Sequence, residues 1–191
     1  MEFNSRVSPF DHLDLNRVFP GNQEGSYTER LAYLITRKAL TNADIVIDLH
    51  GGGSWCVNAF AFRFKGSEEL ATVFNPPFIL DAPNREGTLT KHANNIGSKV
   101  TVVEMGGRCE EEKKWAEYIA TGLERCLNSL GVIEKKIPEY EQNTIQVRDS
   151  TILRPSKGGL FIPELGASAV GTMVEKGTIL GRIVDPVSMS T

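Results

Sequence analysis

A histidine and a glutamate each end an apolar run in this chain, and both are followed closely by glycines. His50 closes the apolar run of "DIVIDLHGGG" (44–53), and Glu104 closes that of "KVTVVEMGG" (99–107). Imidazole is a common metal ligand, a carboxylate can serve as a general base, and glycine lets the backbone approach a ligand closely. Asp48 points to the same side of a strand as His50 and could orient the imidazole. The pattern predicts a catalytic pair; on the other reading, both side chains merely cap strands.

A second group of candidate residues lies near the N-terminus. Arg6, Asn16 and Arg17 fall in "RVSPFDHLDLNRVFPG" (6–21), a segment rich in turn residues. An arginine fork beside an amide suits the capture of a carboxylate through paired hydrogen bonds. Taken alone, such a loop is more often solvated surface.

The elements that must position these residues alternate between strands and helices. The runs before His50 and Glu104 lack polar alternation, which is typical of strands covered on both faces, whereas 58–64 alternates phenylalanines as a strand does. A helix over 26–40 starts with a capping box and presents Leu31, Leu34 and Ile35 on one face. The alternation predicts an α/β layer sandwich with a largely parallel sheet, whose ligands sit beyond the carboxyl ends of the strands. From about Thr144 onward, short β-like runs between Gly and Pro predict a small separate β region.

Composition narrows the classes of function. The chain has 191 residues, is 40% hydrophobic and 24% charged, and carries a net charge of −3 with scattered basic residues. This predicts neither a nucleic-acid stripe nor a membrane-binding face. Three widely spaced cysteines argue against a disulfide framework and against a cysteine zinc site, so a reduced, cytoplasmic location is expected.

Three motifs in order resemble a known family. The segment 6–21, "DIVIDLHGGG" and "VTVVEMGG" are similar to the succinylglutamate desuccinylase/aspartoacylase family of zinc-dependent deacylases, closest to the branch of ectoine-utilisation N-acetyl-diaminobutyrate deacetylases. The segment 158–186 resembles the start of that family's small β domain. The resemblance implies a zinc carboxypeptidase-like, three-layer α/β sandwich with a largely parallel or mixed sheet. It also implies a partial hydrolase domain over 1–140 and a partial β domain over 141–191.

The resemblance further implies roles for the candidate residues. His50 would be a zinc ligand, and Glu104 would be the base that deprotonates the attacking water. Asn16 and Arg17 would hold the substrate carboxylate or polarise the scissile carbonyl, and Arg6 would bind substrate as well. The expected function is hydrolysis of the amide bond of a small N-acyl amino acid or related N-acylated amine.

The zinc site expected from the resemblance is incomplete in this sequence. The family's early "H-G-x-E"-like motif, which supplies two further ligands, has no counterpart before "LNR", and catalytic zinc usually has three protein ligands. His12 and His92 are expected at the surface, and a substitute site of His12, Asp14 and His50 is the less favoured alternative. The chain is expected to be truncated at both ends and to form a homo-oligomer or to need a partner that completes the fold. A catalytically inactive remnant that acts as a binding or assembly module is the alternative function.

Overall fold

The computed structural model describes residues 5–53, 56–107, 112–137 and 141–188. The chain divides into two compact units, Met1–Gln146 and Val147–Thr191. The expected functional boundary between residues 140 and 141, with a partial hydrolase domain before it, stays a prediction.

The described residues of the first unit form a five-stranded sheet and four α-helices. Its strands are β1 (Ile45–His50), β2 (Asn58–Arg63), β3 (Phe78–Asp81), β4 (Lys99–Gly106) and β5 (Ile145–Gln146). Its helices are α1 (Tyr27–Lys38), α2 (Glu68–Thr72), α3 (Leu89–Asn95) and α4 (Glu112–Ser129). Short 3₁₀ turns span Leu15–Arg17 and Leu40–Asn42.

The sheet is mixed but mainly parallel, as predicted. Its strand order is β1-β4-β2-β3-β5, and only the β4–β2 pairing is antiparallel. In the β1–β4 register His50 lies beside Glu104, and in the β4–β2 register Asn58 lies opposite Gly106. The reversed direction of β2 therefore brings its first residue to the edge where β1 and β4 end.

Helices cover both faces of the sheet, which confirms the three-layer α/β sandwich. Residues of β4 alternate between the faces: Val103 and Met105 pack against α2 and α4, in a cluster that includes Phe74. Val100 and Val102 pack against Ala93 of α3 on the opposite face. Asp48, His50 and Glu104 share that second face, because they are separated from Val46 and Val102 of this cluster by even numbers of residues.

The buried face of α1 differs from the predicted one. Thr28, Ala32 and Thr36 are buried, whereas Leu31 and Leu34 are 38% and 52% exposed. Small side chains at this spacing let the helix approach the Phe19–Gly21 loop closely. The close approach of the two backbones, and not the burial of leucines, therefore determines which face of α1 is buried. A Cβ on Gly21 would lie 2.1 Å from the backbone nitrogen of Tyr33.

The second unit contains a two-stranded antiparallel sheet of β6 (Leu160–Pro163) and β7 (Gly181–Val184). Many of its apolar side chains are exposed, including Phe161, Met173 and Ile179. Within the parts of the chain that the structure describes, no helix has the length and apolar character needed to cross a bilayer.

Candidate active site

All five predicted site residues line one cavity of about 590 Å³ in the first unit. They are Arg6, Asn16, Arg17, His50 and Glu104. The cavity lies beyond the carboxyl ends of β1 and β4, which is where ligands bind in open α/β sheets. Its walls are also formed by residues that the sequence did not single out as ligand contacts, among them Asn58, Arg85 and Thr90.

His50 is paired with the carboxylate of Asp48 on the same strand. Nε2 of His50 is 3.1 Å from Oδ2 of Asp48, and the two side chains are 36% and 18% exposed. Interaction with Asp48 raises the pKa of His50 above its ordinary value of 6.5, although partial burial opposes the shift. Asp48 thus fixes the imidazole from one side, as the sequence suggested.

Glu104 is half-buried, lines the cavity and is held by an amide. Nδ2 of Asn58 donates a hydrogen bond of 2.7 Å to Oε2 of Glu104. A hydrogen bond to a carboxylate is stronger than one between neutral groups, so it restrains the rotamer of the glutamate. One carboxylate oxygen is thereby engaged, and the other is left for a ligand or a water molecule.

The 3₁₀ turn Leu15–Arg17 is organised by Asp14. Oδ1 of Asp14 caps the turn by accepting 2.9 Å from the backbone N–H of Asn16, and Oδ2 accepts 3.1 Å from Nε of Arg6. Nη2 of Arg17 lies 4.0 Å from the same oxygen, and its Nη1 donates to the carbonyl of Asn16. The side chain of Arg6 is 75% exposed, so its ion pair with Asp14 is a weak tether. One carboxylate therefore orients both arginines toward the cavity wall.

Asn16 joins this turn to helix α3. Its Oδ1 accepts 2.8 Å from the backbone N–H of Leu89, one of the otherwise unpaired donors at the start of α3. Nearby, Gly87 has φ +78°, and a Cβ there would lie 2.2 Å from the carbonyl oxygen of Arg17. The oxygen end of the Asn16 amide is thus used by the fold, which leaves its nitrogen end as the donor available to a ligand.

Glycines let the loops after β1 and β4 touch through their backbones. The N–H of Gly52 donates 3.0 Å to the carbonyl of Gly106. A Cβ on Gly52 or on Gly107 would lie 2.0 Å from the carbonyl oxygen of Cys56, and Gly107 has φ +119°. Side chains at these positions would push apart the loops that follow His50 and Glu104.

A metal site is not complete in the residues that the structure describes. Over 5–53, 56–107, 112–137 and 141–188, no three His, Cys, Asp or Glu side chains form a group that could hold a metal ion. The substitute set of His12, Asp14 and His50 is thus not brought together, and His12 is exposed with φ +55°. His50 can supply one ligand, whereas a catalytic zinc usually has three from protein.

Asn58 and Arg85 are two of the polar site-lining residues that sequence reasoning missed. Asn58 opens the alternating run 58–64, and a strand assumed parallel would have carried it to the opposite edge of the sheet. The signal for Arg85 was its loop, "APNREGT" (82–88), which precedes the helix beside the "LNR" turn. Asn58 cannot be assigned to the site without the direction of β2, and Arg85 cannot be assigned to it without the contact between Gly87 and Arg17.

The arrangement combines an anionic acceptor with cationic donors in one cleft. Glu104 can take a proton from a bound water, and the guanidinium of Arg17 can stabilise negative charge on a substrate oxygen. Arg6, Arg17 and Arg85 give the rim a preference for anionic groups. Such a set suits addition of water to a carbonyl compound that carries a carboxylate.

Comparison with known proteins gives a consistent result. A family model described as the succinylglutamate desuccinylase/aspartoacylase catalytic domain matches residues 1–130. The N-alpha-acetyl-L-2,4-diaminobutyric acid deacetylase of Halomonas elongata is 29% identical in an alignment that covers 94% of this chain and 56% of the relative.

Solved structures agree with this match. The product-bound ectoine utilization protein EutE (DoeB) from Ruegeria pomeroyi superposes with a TM-score of 0.79 at 26% identity, over 95% of this chain and 58% of that one. A succinylglutamate desuccinylase/aspartoacylase from Rhodobacter sphaeroides superposes with a TM-score of 0.77 at 24% identity, over 94% of this chain and 57% of that one. At this identity the superposition supports the fold alone. The chain thus spans less than three fifths of the length of these relatives.

Proposed function

Because the chain belongs to the succinylglutamate desuccinylase/aspartoacylase catalytic-domain family, we propose that it carries out, or forms part of an enzyme that carries out, hydrolysis of a small N-acyl amino acid or a related N-acylated amine. The observation that supports this most is the common cavity of Glu104, His50, Arg17, Asn16 and Arg6. The relative from Halomonas elongata is named for N-alpha-acetyl-L-2,4-diaminobutyric acid, and this name suggests a substrate that carries an acyl group on nitrogen.

In this proposal Glu104 is the general base. Its carboxylate, restrained by Asn58, removes a proton from the attacking water and later delivers it to the nitrogen of the leaving amine. The guanidinium of Arg17 stabilises the oxyanion or binds the substrate carboxylate, and the amide nitrogen of Asn16 adds a neutral donor. Arg6 contributes charge at the exposed rim, which favours capture of an anionic substrate.

Zinc belongs to the proposal through the family, with His50 as one ligand and Asp48 as its orienting carboxylate. When bound, zinc would acidify the water and polarise the carbonyl. The described residues alone do not make up the site, as they hold no group of three suitable side chains. We therefore derive no step through the metal. This same observation favours the second candidate function, an inactive remnant that serves as a binding or assembly module.

The proposal includes self-association or a partner that completes the fold. Strand β1 is an edge strand, and Leu49 in it is 46% exposed. An exposed edge with apolar side chains tends to pair with another chain. Light scattering of the purified protein tests this point: a dimer or larger assembly is expected, and a stable monomer contradicts it.

The test of function combines metal content with turnover. The purified, tag-free chain is dialysed, its zinc is measured by elemental analysis, and release of free amine is followed with N-acetyl and N-succinyl amino acids, including N-acetyl-diaminobutyrate. Near one zinc per chain together with turnover is the result that supports the proposal, and it requires ligands in addition to those that the described residues bring together. Glu104→Gln keeps the shape and removes the base, so it should lower kcat by about 10²–10⁴-fold with zinc content unchanged.

Two results would contradict the proposed function. Turnover that survives Glu104→Gln would remove this residue from the mechanism. Absence of both zinc and turnover would favour the inactive module, and that reading then predicts binding of the same substrates without hydrolysis.

A further inference from the structure

We propose that Asn58 is a positioning residue that holds Glu104 in the orientation of a general base. This inference rests on the proposed function for its kinetic part, while the contact itself is a property of the fold. The amide of Asn58 touches Glu104 and lines the same cavity.

The first argument is topological. β2 is antiparallel to β4, so Asn58 and Phe60 lie opposite Gly106 and Glu104, all four on one face of the sheet. Asn58 is therefore the diagonal neighbour of Glu104, a separation that a short polar side chain can bridge. No side chain stands directly opposite Asn58, because its partner in the register is glycine.

The second argument is the orientation of the amide. Sγ of Cys56 lies 3.6 Å from Oδ1 of Asn58, within reach of a weak thiol hydrogen bond, and Nδ2 of Asn58 lies 2.7 Å from Oε2 of Glu104. The donor on one side and the acceptor on the other select the amide conformer in which nitrogen faces the glutamate. A flipped amide would set two oxygens against each other.

The consequence for the base is geometric. With Oε2 engaged by Asn58, Oε1 of Glu104 is the oxygen that accepts the proton from water. Loss of the Asn58 donor frees the glutamate side chain to rotate, and a displacement of about 1 Å in a reacting group can cost about 10²-fold in rate. Asn58 itself transfers no proton and contacts no reacting atom.

The kinetic test uses Asn58→Ala and the same-sized Asn58→Asp, with Asn95→Ala as control, since Asn95 is exposed at the end of α3. Asn58→Ala should lower kcat by about 10- to 100-fold with KM changed by less than about twofold. Asn58→Asp should lose at least as much, because it sets a second carboxylate against Glu104. In a Glu104→Gln background, Asn58→Ala should cause no further loss, because its effect passes through the glutamate.

A second measurement does not depend on turnover. The side-chain amide protons of Asn58, followed by NMR, should exchange with water about tenfold more slowly than those of Asn95, and Glu104→Ala should abolish the difference. If the chain hydrolyses no N-acyl substrate, the proposed function fails and this measurement alone decides the inference. Unaltered exchange on Glu104→Ala overturns it, and so does a kinetic loss that is fully additive with Glu104→Gln.

Discussion

Gly107→Ala should separate the cost of an unfavourable backbone angle from the cost of disturbing the site. Gly107 has φ +119°, and a Cβ there would lie 2.0 Å from the carbonyl oxygen of Cys56 and 3.0 Å from the Cα of Gly52. Gly97 is the matched control, because its φ is +103° and a Cβ there would meet nothing within 4 Å. Both substitutions impose a left-handed angle on alanine, but only one also creates a collision.

The expected magnitudes follow from these two terms. The positive φ costs about 1–2 kcal/mol for an ordinary side chain, and both variants bear this cost. The collision at Gly107 is with a backbone oxygen, which cannot rotate away, so we expect a further loss of about 1–3 kcal/mol. The free energy of unfolding of Gly107→Ala should therefore lie lower than that of Gly97→Ala by that further amount.

Urea unfolding followed by circular dichroism measures this difference. The amine-release assay supplies the functional side: Gly97→Ala should keep its turnover, whereas Gly107→Ala should lose it as the loops after His50 and Glu104 move apart. Equal stability of the two variants, within about 0.5 kcal/mol, would refute the contact between the loops as the reason for glycine at position 107.

Two further predictions concern the arginine and aspartate near the N-terminus. Arg17→Ala should lower kcat/KM for N-acyl amino acids by at least about tenfold, because a charged hydrogen-bond donor to the substrate is lost. The control is Arg37→Ala on the exposed side of α1, which should leave kcat/KM unchanged. Equal values of kcat/KM for the two variants would exclude Arg17 from the site. Asp11 accepts hydrogen bonds of 2.7 Å from the N–H and from the hydroxyl of Thr28. Desolvation raises the pKa of Asp11, but hydrogen bonds, chiefly those from Thr28, outweigh it and hold this pKa well below the ordinary value of 3.8. Its stabilising effect is therefore complete above that ordinary value and is lost as the pH falls below it toward the folded-state pKa. Urea unfolding between about pH 6 and 2 should show the wild type losing more stability than Asp11→Asn, and parallel curves would contradict the linkage.

Local pattern was sufficient for the strands that carry His50 and Glu104. Both runs are continuous and apolar because helices cover both faces of the sheet, and β1 and β4 are parallel neighbours, so their ends meet. Glu104 and His50 could thus be paired from sequence, whereas the "LNR" turn was assigned to the site through the family resemblance and not through local pattern.

Other features depend on contacts between distant segments. The direction of β2 is set by its pairing with β4, which no alternation within 58–64 reveals, and Asn58 was missed for this reason. In α1 the leucines at 31 and 34 suggested the wrong face, because the burial of Thr28 and Ala32 depends on the close approach of the Gly21 loop. Ser67 lies at the N-cap of α2, where a serine hydroxyl commonly caps the helix, but its hydroxyl accepts from the N–H of Val100 in the sheet instead.

The backbone contact between the loops after β1 and β4 has a consequence for how the cavity of this protein can change in evolution. Because Gly52, Cys56 and Gly107 interlock, an insertion in either loop would displace His50 and Glu104 together. The opposite wall, Pro83–Thr88, is largely exposed and carries Arg85. Substitutions in that segment can therefore change the lining of the cavity while the positions of His50 and Glu104 stay as they are.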